Sequence, residues 1–140
     1  MKVLIDTNVI LDVLLNRSDF FNDSREIFEF VEHKRIIGCI SASSMTDIFY
    51  IINKQIGELD IIYSVMEKLL ALFSISSVTE VTINDALSLH WKDFEDALQY
   101  IVAKENNIEY IITRNNDDFK TSNIPCMNPA DFIKYLKEIG

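Results

Sequence analysis

Residues that break regular structure are scarce in this chain of 140 residues, which has only 3 Gly and 2 Pro. That scarcity leaves no stretch suited to a flexible linker. The expectation is one domain over residues 1–140, long enough to bury a substantial core. Long hydrophobic runs are missing as well. None approaches the roughly 18 uncharged apolar residues that a membrane-spanning helix requires. The start, with Lys2 followed so soon by Asp6, is not that of a signal peptide, so the cytoplasm is the expected compartment. The 2 cysteines, Cys39 and Cys126, form no CxxC pair, and reduced, buried or half-buried thiols are expected. The 2 histidines, His33 and His90, fall at the ends of helical patterns and are expected to be solvated. Basic residues are few, 13 against 22 acidic ones, for a net charge of −9. This argues against binding nucleic acid through a basic groove. It leaves open contact with phosphate through a metal ion, and it suits a basic partner.

What is present is a regular alternation of strand-like and helix-like segments. Val3–Ile5 reads as a short buried strand, and Val9–Leu15 as a helix that breaks at Asn16-Arg17-Ser18. Asp23–His33 reads as a second helix. Ile36–Ile40, β-branched around Gly38, suits a central strand. Ser41–Ser44 offers an N-cap, and Met45, Ile48, Phe49 and Ile52 then follow at helical spacing. Leu59–Leu72 is a helix, Phe73–Val78 a third strand, and Thr82–Asp85 a capping box opening a helix to about His90. Asp93 opens a helix to about Glu105, Tyr110–Thr113 is a fourth strand, and Asn115–Asp118 reads as a loop. Asn128-Pro129, an N-cap followed by Pro at N1, starts a terminal helix through Leu136. Strands alternating with helices imply an α/β fold with a central, mostly parallel sheet covered by helices on both faces.

Parallel strands place all their carboxyl ends on one edge, where ligands of such sheets bind. Asp6 follows the first strand, Asp47 the second and Asp118 the fourth. Asp96 sits in the first turn of the helix opened by Asp93. These acids, distant in sequence, can therefore converge. Clustered carboxylates repel unless a cation relieves them. Oxygen ligands without nearby His or Cys suit Mg²⁺ or Mn²⁺ and not zinc. Each residue also has a plainer reading. Asp6 could cap the next helix, Asp47 could be a solvated side chain, Asp93 and Asp96 could form a capping box, and Asp117 and Asp118 could solvate a loop.

Four segments resemble PIN-domain ribonucleases of the small VapC-like type. They are Asp6-Thr-Asn-Val-Ile-Leu-Asp12, Ser41-Ala-Ser-Ser-Met-Thr-Asp47, Asp93-Phe-Glu-Asp-Ala-Leu-Gln99 and Ile112-Thr-Arg-Asn-Asn-Asp-Asp-Phe119. The resemblance covers essentially the whole chain. It implies an α/β/α sandwich and Mg²⁺- or Mn²⁺-dependent hydrolysis of RNA phosphodiester bonds. By motif position, Asp6, Asp47, Asp96 and Asp118 resemble the catalytic acids, and the same four with Asn115 the metal ligands. Thr7, Asn8, Ser41, Asp93 and Thr113 resemble residues that hold those ligands in place. Arg114 and Lys92 are candidates for phosphate contact, with solvated surface charge the plainer role for each, and Trp91 is a candidate for stacking on a base, with packing its plainer role. Two departures stand out: Asp47 where Glu is usual, and neutral Asn115 where relatives often carry an acid. Small members of the family commonly serve as toxins blocked by a cognate antitoxin, and commonly form homodimers.

Two other readings stay open. One is a catalytically inactive module that binds RNA or a partner protein through the same cleft, which Asp47 and Asn115 allow. The other is a phosphotransfer enzyme with Asp6 as nucleophile. It is disfavoured because Asn8 stands where a second Asp is needed and no matching Lys follows a later strand.

Overall fold

The computed structural model describes residues 1–115, 119 and 122–140. Asn116, Asp117 and Asp118 of the expected loop, and with them the candidate fourth acid, lie outside the described residues. The order of elements is β1 (Lys2–Ile5), α1 (Thr7–Leu14), α2 (Phe21–Glu32), β2 (Ile37–Ser41), α3 (Ala42–Ile56), α4 (Leu59–Leu72), β3 (Ser74–Ser76), α5 (Glu80–Ser88), α6 (Phe94–Glu105), β4 (Tyr110–Ile112), β5 (Cys126–Met127) and α7 (Pro129–Ile139). No helix among the described residues is long and apolar enough to cross a membrane.

The strands form one sheet in the order β3-β2-β1-β4-β5, and every pairing is parallel. Val3 aligns with Gly38 on one side and Tyr110 on the other. The chain builds outward from β1 to β2 and β3, then crosses through α5 and α6 to lay β4 on the opposite side of β1. The reversal of strand order lies between β1 and β4, the place where open α/β sheets present a crevice at their carboxyl edge.

Side-chain alternation along the strands separates two layers of core. Val3, Ile5, Ile40 and Ile112 face one side, against Val9 and Ile10 of α1, Ile27 and Phe30 of α2, Ile48 and Ile52 of α3, Ile62 and Leu69 of α4, and Phe132, Ile133 and Leu136 of α7. Leu4, Cys39 and Ile111 face the other side, against Val102 and Ala103 of α6. Helix α5 packs on α6 through Ala86, Ala97 and Leu98. The result is the three-layer α/β/α arrangement expected.

Helix ends follow local chemistry. Helix α1 stops before Asn16, which adopts φ 49°, a left-handed turn that Asn tolerates well. Helix α3 ends at Gly57 with φ 74°, a conformation that favours glycine. Asn128 caps α7 by accepting from the Asp131 N–H at 2.8 Å. Two expectations need correction. The capping box of α5 is Thr79 with Thr82, not Thr82 with Asp85. Thr82 sits at the third helical position with its hydroxyl within 3.1 Å of the Thr79 N–H, so the helix starts earlier than the pattern suggested. Strand β5 was not anticipated, since two residues directly after Pro125 carry no period to read.

Both cysteines are free, Cys39 buried and Cys126 half-buried. Burial pushes both thiols up, Cys126 to about 11, so neither is a poised nucleophile. His33 and His90 are exposed at helix ends as expected.

Gly38 is a packing requirement. A methyl group there would meet Val31 at 2.7 Å and the Phe73 ring at 2.8 and 2.9 Å. Gly38→Ala is expected to lose about 1–3 kcal/mol through overpacking, read as a lower urea midpoint at unchanged m-value.

Candidate active site

Asp6 occupies the N-cap position of α1, yet its side chain makes no capping bond. Its carboxylate turns instead toward the neighbouring strand and the opposite helical layer. Gln99 Nε2 donates to Oδ1 at 2.8 Å, and Thr113 Oγ1 donates to Oδ2 at 3.0 Å. Thr113 is buried at the end of β4 and also accepts from the Asn115 N–H at 3.1 Å. The Asp6 N–H completes the strand pairing by donating to the Ile112 carbonyl at 2.9 Å. Asp6 is only 7% exposed, and its two oxygens are aligned by donors from different elements.

Around it lies a cleft of about 400 Å³ bordered by Asp6, Thr7, Asn8, Asp47, Tyr50, Ile51, Asp93, Glu95, Asp96, Gln99 and Asn115. Helix α3 brings Asp47 from one side. The first turn of α6 brings Glu95 and Asp96 from the other. Asp93 is the N-cap of α6, accepting from the Asp96 N–H at 3.1 Å, and it also borders the cleft.

Glu95 was not among the candidate residues, although it lies inside the motif that carries Asp93 and Asp96. Its carboxyl hydrogen-bonds Asp47, which raises it from 4.5 to about 7; partial burial and the charges of Asp47, Asp6 and Asp93 push in the same direction. Gln99 was missed too. It follows Glu95 by four residues and Asp96 by three, so all three share a helix face. A lone polar side chain among Ala97, Leu98, Ile101 and Val102 was the available signal.

Several candidates fall elsewhere. Ser41 is buried, but its hydroxyl pairs with Ser43 Oγ at 2.9 Å and it does not border the cleft. Lys92 is exposed and outside the lining. Arg114 is engaged by Asp12, with Nε 3.0 Å from Oδ2, and its guanidinium lies 4.0 Å from the centre of the Phe20 ring. Asp12, fully buried in α1, also accepts from Arg17 Nη1 at 3.3 Å. Burial raises its carboxyl, and the two arginines pull it back. Arg17 reaches Asn8 Oδ1 at 3.4 Å as well, so the ion cluster touches the cleft through Asn8, which borders it. Trp91 stacks on Tyr100 at 5.1 Å and meets the Phe119 edge at 6.2 Å, which is a packing role.

The donor set is all oxygen, and two of its carboxyl groups, Glu95 and Asp47, lie close enough to hydrogen-bond each other, which raises Glu95. That chemistry fits a hard divalent cation. Among the described residues, no group of three or more His, Cys, Asp or Glu side chains closes on a single point. Asp118 lies outside those residues.

A sequence model of the PIN domain matches residues 2–117. The chain belongs to the PIN-domain family. Ribonuclease VapC1 from Aquifex aeolicus (strain VF5) is 24% identical to this PIN domain over 138 residues, covering 95% of this chain and 94% of that protein. Among solved structures, VapBC2 from Rickettsia felis bound to a DNA fragment from its promoter superposes with a TM-score of 0.68 at 17% identity, covering 91% of this chain and 98% of that one. VapC20 from Mycobacterium tuberculosis, a sarcin-ricin loop cleaving toxin, superposes with a TM-score of 0.68 at 13% identity, covering 85% and 94%. At those identities the two superpositions speak for the fold.

Two outcomes follow from this geometry. Asp12→Ala leaves two arginines without their buried partner. Because both reach solvent, the loss is expected near the low end for a broken buried pair, about 3 kcal/mol by urea denaturation. Glu95 binds its proton more tightly in the folded chain than in the unfolded one. Its contribution to stability therefore declines as pH rises from 4.5 to about 7. Without divalent ions, Glu95→Gln is expected to lose less melting temperature than wild type between pH 5 and pH 8.

Proposed function

We propose that this PIN domain is a metal-dependent endoribonuclease of the VapC type, acting in the cytoplasm as the toxin of a toxin–antitoxin pair. The observation that carries the reading is the carboxylate of Asp6. It sits at the strand-order reversal, is oriented by Gln99 and Thr113, and faces the acids of α3 and α6 across one cleft. The likeness to Ribonuclease VapC1 over nearly the full length of both chains supports the same activity.

In this reading Asp6, Asp96, Asp47 and Asn115, together with Asp118, would hold Mg²⁺ or Mn²⁺. When bound, such an ion would supply an activated water and offset negative charge at the phosphodiester. The chain's own residues supply the rest. Thr113 and Gln99 orient Asp6, Asp93 caps the first turn of α6, and Glu95 hydrogen-bonds Asp47. Arg17 reaches Asn8 at the cleft border. With a net charge of −9, and a cleft lined by acids, the cation is the element that makes a phosphate approach favourable.

The proposed partner is an antitoxin with a basic, apolar segment, the chemistry that complements this surface. Tyr50 borders the cleft and is 60% exposed, and Leu59, Tyr63 and Leu70 of α4 are also exposed. Solved relatives include a toxin–antitoxin complex from Klebsiella pneumoniae. A homodimer would cover part of the same apolar surface.

The test is cleavage of RNA by the purified full chain with Mg²⁺ or Mn²⁺, and with EDTA. Activity is expected with the metal and not with the chelator. Asp6→Asn is expected to abolish it, by at least about 100-fold, at an unchanged circular-dichroism spectrum. An Asp6→Asn chain with full activity would refute the assignment. Tight Mn²⁺ binding without turnover would instead favour the inactive binding module.

A further inference from the structure

Gln99 is 1% exposed, and within its helix it is flanked by inward-facing apolar residues. Its Nε2 donates to Asp6 across 93 positions of sequence, while its Oε1 has no hydrogen-bond partner among the described residues. Leaving a buried carbonyl oxygen unpaired is costly, and an aliphatic side chain of similar size would avoid the cost. Packing therefore does not explain an amide here. The donor to Asp6 does.

We infer that Gln99 is a positioning residue that acts through Asp6, and that it sets the affinity of the cleft for a divalent cation. The inference rests on the reading of Asp6 as a metal ligand. With Thr113 on the other oxygen, rotation of the carboxylate is blocked. Each carboxylate oxygen retains further acceptor capacity, so the grip orients Asp6 without exhausting it. The neutrality of the amide matters. A Lys at this place would also donate but would compete with the cation, and a Glu would add to the repulsion that already raises the neighbouring Glu95. Gln supplies the donor at no charge.

The experiment compares wild type with Gln99→Met, which keeps the length of the side chain and removes the donor. Mn²⁺ binding to the full-length chain is measured by calorimetry, and the melting temperature is measured without metal. The expected result is about 10- to 100-fold weaker Mn²⁺ binding by a chain that stays folded, with a metal-free circular-dichroism spectrum matching that of wild type. Gln99→Leu is carried in parallel and gives the same reading should Gln99→Met fold poorly. Equal Mn²⁺ affinity in wild type and variant overturns the inference alone, and a lowered melting temperature with that equal affinity assigns Gln99 a purely structural role. A wild-type chain that takes up no Mn²⁺ overturns the metal reading of Asp6 and the inference with it.

Discussion

The site depends on holding one buried carboxylate in a single orientation at the place where the sheet reverses its order. Asp6 ends β1, the middle strand. Thr113 reaches it from β4, which lies on one side of β1, and Gln99 reaches it from α6, which lies over one face of the sheet. Three elements therefore meet at one group. A charge so deeply placed is tolerable only when its oxygens are satisfied, and the donors that satisfy it also aim it.

The remaining acids are arranged around that fixed point with less support. Asp47 and Asp96 are partly exposed, and Asp47 meets Glu95 carboxyl to carboxyl. The hydrogen bond to Asp47, then partial burial, then the charges of the surrounding acids hold the Glu95 carboxyl above its usual range. A cation would offset that negative charge.

The ion cluster of Asp12, Arg17 and Arg114 belongs to a different layer of the design. It links α1 to the segment that follows β4. Arg114 looked from its place in the chain like a residue for phosphate. Its partner is a buried acid one helix away, and the aromatic face of Phe20 covers it. Position beside a motif says little about where a long side chain will find its charge.

Much of the architecture was legible because short-range chemistry dictates it. Alternating apolar runs gave β1, β2 and β4, helical spacing gave α3, α4 and α6, and Asn128-Pro129 gave the start of α7. The Thr79 cap and β5 escaped notice because one hydroxyl or two residues carry no period. Asp6, Asp47 and Asp96 could be named as a set, with Asp118, which lies outside the described residues, since parallel strands must end on a common edge and a helix that starts there points its first turn into the same space. Which partners each acid takes could not be named. Asp6 follows β1 whatever the rest of the chain does, but whether it caps α1 or turns to Gln99 and Thr113 depends on α6 and β4 arriving 93 and 107 residues later. Local sequence determined the identity and order of the elements; only the packing of the sheet against α6 decided which side chains would share a charge, because hydrogen bonds and repulsion act across a few ångströms of space and are indifferent to distance along the chain.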